Sequence, residues 1–280
     1  MTALEPLADG IRVLALRTPT LLPATHTNCY VVGRTGLTVI EPASPWPDEQ
    51  DRLIEALEAD GARVERILLT HHHPDHVGGA LALRDALAAR GHAAPIVAHA
   101  TTRDLLVGTV VVDEVISDGD VLRCSGVDLH TLHTPGHAPG HVVLHDRSSG
   151  AVVAGDMVAG VGTILIDPFE GDLGHYLDSL ERMRGLGASQ LLPAHGDAIV
   201  HADAILGFYI AHRHQRSTQI QEALRTLGEV DALAIARQVY GAELPDAALP
   251  LASIQVTAHL LWLAKHGRAE GQVGGLWRAA

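Results

Sequence analysis

Across the first 200 or so residues, short apolar runs alternate with stretches of helical spacing. Ile11 to Arg17, Cys29 to Gly33 and Leu37 to Glu41 are rich in β-branched residues and punctuated by Gly or Pro, which predicts three strands. Asp48 to Asp60 places Leu53, Ile54 and Leu57 on one helical face and stops at Gly61. Ile67 to Thr70 is a further buried strand, and Val77 to Arg90 a second helix ending at Gly91. Between Pro95 and Asp156 short strands prevail: Val127 to His133, His141 to Asp146 and Ala151 to Ala154. Leu173 to Leu186 returns to helix, and Gln190 to Leu192 is a last short strand. Such alternation argues for an α/β architecture.

From about Asp203 the texture changes to nearly continuous helix, with Ile205 to Leu227, Asp231 to Tyr240 and Ala247 to Lys265 as its segments, and a Gly-rich tail, Gly267 to Trp277, suited to a small hairpin. Charge changes at the same place. Residues 203–280 hold seven Lys/Arg and seven Asp/Glu, so the full net charge of -13 falls on residues 1–202. A boundary at 202/203 is therefore expected, between an acidic α/β domain and a small helical one.

At 280 residues the chain can bury a substantial core without staples. Aromatics make up only 3%, so that core has to be built from Ala, Leu, Val and Ile. Cys29 and Cys124 lack C-x-x-C spacing, which suggests neither a redox pair nor a cysteine zinc site. The N-terminal segment has no basic stretch followed by an apolar run, and no stretch approaches the roughly 20 apolar residues needed to span a bilayer. A cytoplasmic protein without a membrane partner is expected.

Histidine is the outlier, with 19 copies. His71-x-His73-x-Asp75-His76 packs four candidate ligands into six residues straight after a predicted strand, in a turn tightened by Pro74. Imidazole and carboxylate are the ligands zinc takes when no thiolate is offered. Two-residue spacing in an extended segment puts His71 and His73 on one side, where they can share a metal. Asp75 and His76 lie around the turn, placed for a second.

Continued by Val77-Gly78-Gly79, this motif resembles the signature of the metallo-β-lactamase superfamily, and the likeness runs on in order through Thr134-Pro135-Gly136-His137, Ala154-Gly155-Asp156 and Pro193-Ala194-His195-Gly196. The resemblance implies a four-layer αβ/βα sandwich with a small helical, winged-helix-like C-terminal domain. It further implies that His71, His73 and His137 bind one metal, that Asp75, His76 and His195 bind the other, and that Asp156 bridges them, with Asp75 counted among the catalytic residues. The implied cofactors are two zinc ions, with iron or manganese as alternatives. One bridging carboxylate and one bridging hydroxide suit two-metal hydrolysis, because paired dications lower the pKa of a shared water and stabilise the oxyanion that forms.

A narrower likeness rests on His26-Thr27-Asn28-Cys29-Tyr30, on Gly162-Thr163 to Gly171-Asp172 followed by Tyr176-Leu177-x-Ser179-Leu180, and on Tyr209-x-x-His212-Arg213-x-x-Arg216. These look like the lactamase-β-like-2 group of hydrolases, which includes a mitochondrial endoribonuclease and fungal polyketide-releasing thioesterases. Glu41-Pro42 departs from the superfamily pattern, which has Asp at that position.

His141 opens a predicted strand on the metal side and is a candidate to reach substrate. His212, Arg213 and Arg216 form a candidate clamp for a substrate carboxylate or phosphate, set against the plainer reading of a solvated helix face. Hydrolysis of a small ester or thioester is the leading expectation. The alternative is a metal-dependent endoribonuclease or phosphodiesterase, which the acidic domain disfavours because phosphate contacts call for a basic surface. A mononuclear-iron sulfur dioxygenase ranks lower, since both Asp75-His76 and His195 are present for a second metal. A small molecule is the expected partner, and the oligomeric state is left open.

Overall fold

The computed structural model describes residues 3–241 and 244–280; the Met1-Thr2 that opens the N-terminal segment lies outside them. The chain forms two compact units. The first comprises Met1–Thr134, Pro139–Ile164 and Met183–Asp203, and the second Pro135–Ala138, Leu165–Arg182 and Ala204–Ala280.

In the first unit, β1 (Glu5–Ala8), β2 (Ile11–Arg17), β3 (His26–Val32) and β4 (Gly36–Ile40) run antiparallel, each pairing with the next. Helix α1 (Pro47–Asp60) then carries the chain to β5 (Arg63–Leu68), parallel to β4. The short α2 (Pro74–Val77) and α3 (Ala80–Ala89) lead to β6 (Ile96–His99), and α4 (Ala100–Leu105) to β7 (Glu114–Ile116), both strands again parallel. These strands form one seven-stranded sheet in sequence order. A second sheet has the order β12-β11-β10-β9-β8, built from β8 (Val121–Arg123), β9 (Asp128–His133), β10 (Val142–Asp146), β11 (Ala151–Gly155) and β12 (Gln190–Pro193). Only its β11–β12 pair is parallel.

Period-two alternation sorts the first sheet's side chains between two cores. Cys29 and Val31 of β3 join Leu37, Val39, Leu53, Leu57, Leu83 and Leu87 in a layer shared with α1 and α3. Their neighbours Tyr30 and Val32 face the other way, packing with Ile40, Leu68 and Val97 against Val142, Leu144, Val153 and Leu192 of the second sheet. Each such burial is worth about 1.5–3 kcal/mol for an aliphatic side chain, so the sheet is held from both faces.

The second unit contains residues Leu173–Arg182 of α5 (Leu173–Arg184) and most of α6 (Ala202–Leu227), together with α7 (Ala232–Tyr240), α8 (Leu249–Lys265) and a hairpin of β13 (Ala269–Gly271) and β14 (Trp277–Ala279). Ile220, Leu224, Ile235, Val256, Leu260, Leu263 and Trp277 form its core.

Three expectations need correction. The helix read over Val77 to Arg90 is two helices, because Gly78 and Gly79 break it. Helix α4 has too few apolar positions to announce itself. Contrary to the reading that nothing approaches membrane-spanning length, Asp246–Lys265 is a 20-residue helical stretch containing an 18-residue window of mean hydropathy 1.4, long and apolar enough by composition. Its apolarity serves the second unit's core, where Ala252, Val256, Leu260 and Leu263 are buried.

Candidate metal centre

Four strand ends position the candidate ligands of the first unit. Strands β4 and β5 are parallel, with Ile40 beside Leu68, so Glu41 and the Thr70-His71 segment emerge at the same edge. Strands β11 and β12 are also parallel, with Gly155 beside Pro193, so Asp156 and His195 emerge together. Parallel strands bring their carboxyl ends to one edge, which is where α/β folds gather reactive groups. After His71 the chain turns into α2, whose first residue is Pro74, preset for a first helical turn. His76 N–H then bonds to His73 O at 3.0 Å, closing the turn that presents Asp75 and His76.

The imidazoles of His71, His76 and His195 share one device, in which Nδ1 is engaged by a neighbouring oxygen and Nε2 is left facing the other candidate ligands. His76 Nδ1 lies 2.9 Å from Glu41 Oε1, and His195 Nδ1 donates to His26 O at 2.9 Å. Thr70 Oγ1 donates to Glu41 and so accepts from His71 Nδ1 at 3.0 Å. His76 Nε2 lies 3.8 Å from Asp75 Oδ1 and 3.6 Å from Asp156 Oδ2, and His195 Nε2 lies 3.6 Å from Asp75 Oδ2 and 3.5 Å from Asp156 Oδ1. His76 Nε2 is buried and makes no hydrogen bond. A solvent-free lone pair among carboxylates fits a cation, and fixing the far nitrogen is how proteins prepare a histidine ligand. His71 Nε2 and His73 Nδ1 face each other at 3.0 Å. Burial works against a proton on His76, but the charges of Glu41 and Asp156 prevail and raise its pKa well above the ordinary value. The field that favours a proton there favours a metal ion.

Of the predicted ligands, Asp75, His76, Asp156 and His195 converge in the first unit beside His71 and His73. His137 belongs to the second unit, where its Nδ1 lies 2.8 Å from Leu165 O. His141 lies within the first unit. It is fully buried, with Nδ1 2.9 Å from Thr134 Oγ1 and Nε2 accepting from Asp156 N–H at 3.0 Å. Gly155, at φ 49°, makes this approach feasible, since a Cβ there would meet His141 Nε2 at 2.5 Å. His212, Arg213 and Arg216 lie in the second unit. Arg213 is buried with its guanidinium 5.4 Å from the Tyr176 ring centre, Arg216 lies 4.5 Å from the Tyr240 ring centre, and His212 stacks on Phe208.

Glu41 was underrated by its departure from the superfamily's Asp. It is fully buried and supports His76 directly and His71 through Thr70. It does so from φ 58°, a conformation that costs a side-chain-bearing residue about 1–3 kcal/mol. The available signal was positional: Glu41 and Thr70 each close a predicted strand.

Residues 22–195 match the family described as the metallo-beta-lactamase superfamily. The chain is 28% identical to the beta-lactamase-like protein 2 homolog of Drosophila melanogaster, over 92% of this chain and 88% of that one. It is also 28% identical to the lactamase-like protein vrtG of Penicillium aethiopicum, over 97% and 86% respectively. A crystal structure of a beta-lactamase domain protein from Burkholderia ambifaria superposes with a TM-score of 0.85 at 21% identity, covering 100% of this chain and 94% of the other.

Proposed function

Because the chain belongs to the metallo-beta-lactamase superfamily, we propose that this metal-dependent hydrolase works with two metal ions, zinc in the first instance, on a small ester or thioester. The observation that carries the reading is the paired arrangement of His76 and His195, each anchored at Nδ1 and each turning Nε2 toward both Asp75 and Asp156. On the superfamily resemblance, Asp75, His76 and His195 would hold one ion and His71, His73 and His137 the other, with Asp156 a candidate ligand for both.

Divalent ions bound there supply Lewis-acid polarisation of the scissile carbonyl and an acidified water near neutral pH. The protein's own groups do the rest. Glu41, Thr70 and the His26 carbonyl fix which ring nitrogen carries a proton, and His141 holds the Asp156 backbone in register with β12. The burial of His71 and His76 excludes water from the far side of the ligands. An ester or thioester is favoured over RNA because the net charge of -13 lies on residues 1–202, where a polyanion would meet repulsion. Metal-quantified protein assayed against thioesters, lactones, phosphodiesters and single-stranded RNA should turn over an acyl substrate. Metal-dependent cleavage of RNA with no acyl turnover would reverse that ranking.

A further inference from the structure

Within the second unit, three hydrogen bonds tie down the short segment that carries His137. Ser179 Oγ donates to Pro135 O at 2.8 Å, Asp172 N–H donates to Gly136 O at 2.8 Å, and His137 Nδ1 meets Leu165 O at 2.8 Å. Gly136 sits at φ 136°, and a Cβ there would lie 2.3 Å from the Tyr176 backbone. The segment therefore presses against the first turns of α5, which only glycine permits.

The acceptor for His137 is itself held from far along the chain. Leu165 precedes Ile166, whose N–H donates at 3.0 Å to Gln255 Oε1 on α8, 89 residues away in sequence. At the other end of the same loop, Asp172 accepts from His175 N–H at 3.0 Å and pairs with Lys265, again on α8. Loop 165–172 is thus gripped at both ends by one helix. Gln255 is an odd residue for that place, being 9% exposed on a helix whose neighbouring Val256 and Leu260 serve an apolar core.

We propose that α8 belongs to the machinery of the metal centre, with Gln255 as a positioning residue that acts through Ile166 and Leu165 on the imidazole of His137. The inference rests on the reading of His137 as a metal ligand. By holding the Ile166 N–H, Gln255 fixes the Leu165 carbonyl where His137 Nδ1 meets it. That bond keeps the ring proton on Nδ1 and reserves Nε2 as the ligand atom. Without Gln255, the Ile166 N–H loses its acceptor and the Leu165 carbonyl that meets His137 loses that tether.

The test is a titration of metal-free, full-length protein with Zn²⁺, repeated with Co²⁺ so that each binding step has its own absorption spectrum. Wild type should take up two ions. Gln255→Met, which keeps the side chain's length and removes the acceptor, should weaken one step by about 10- to 100-fold and leave the other unchanged. Gln255→Asn, too short to reach Ile166, should do the same if the Met variant folds poorly. Gln255→Glu retains an oxygen acceptor and should bring the weakened step back toward wild type. In a His137→Ala background, Gln255→Met should alter nothing further. Equal weakening of both steps, no weakening of either, or the same effect without His137 would overturn the inference while leaving the proposed function standing. A wild-type chain that binds no metal would overturn both.

Discussion

Among the described residues, each unit contains one fully buried histidine whose Nε2 makes no hydrogen bond, His76 in the first and His259 in the second. Their near neighbours are alike, since His76 Nδ1 lies 2.9 Å from Glu41 and His259 Nδ1 lies 2.8 Å from Ser217 Oγ. Their electrostatic surroundings are opposite. Around His76 stand Glu41, Asp75 and Asp156, and the balance of burial against those charges raises its pKa. Burial lowers the pKa of His259 well below the ordinary value, and Arg213, His212, Arg216 and His214 push the same way. A buried imidazole is thus not a metal site by virtue of burial. The sign of the surrounding charge favours a cation beside His76 and disfavours one beside His259.

Removing negative charge from the His76 side should produce the largest effect. Asp156→Ala should drop metal content below two per chain and reduce kcat/KM beyond the roughly 10- to 100-fold that loss of a supporting residue costs. Elemental analysis beside kinetics checks it. A variant that keeps two ions and near-normal rate would show that Asp156 is not shared between them, and the contrast with His259 would lose its basis.

Altering the support around the ligands should cost less. His141→Ala, which frees the Asp156 N–H, and Glu41→Gln, which keeps an acceptor for His76 but removes charge, should each lower kcat/KM by about 10- to 100-fold, with both ions retained at saturating metal. The same substitutions should leave the His259 side of the molecule untouched, because those residues belong to the first unit.

The smallest effect is a pH dependence of stability on the His259 side. Its folded pKa lies below the unfolded value of about 6.5, so the unfolded chain binds the extra proton in the window beneath that pH. The stabilisation is therefore complete above about pH 6.5 and is lost as pH falls toward the folded value, with a slope of at most about 1.4 kcal/mol per pH unit. Urea unfolding followed by tryptophan fluorescence from pH 8 to pH 5 should show the His259→Leu variant losing less stability than wild type on the acid side. Parallel curves for the two proteins would mean that His259 does not titrate in unfolding.

Much of the candidate site was legible in the sequence because candidate metal ligands are constrained in residue type and local spacing. His71, His73, Asp75 and His76 lie within one strand end and one turn, and Asp156 and His195 each end a short apolar run that reads as a strand. The family, the α/β class and most element positions followed from the same local signals. Only the tertiary structure decided which groups surround those ligands. Glu41 reaches His76 across 35 residues, the His26 carbonyl reaches His195 across 169, and Gln255 reaches Ile166 across 89. Nor could the pattern of Tyr209, His212, Arg213 and Arg216 tell a solvated face from a buried Arg213 lying over Tyr176. Spacing along a chain encodes what one strand or one turn of helix can present. Hydrogen-bond partners and local charge depend on which distant segments pack beside it, and that is set by the burial of the whole core.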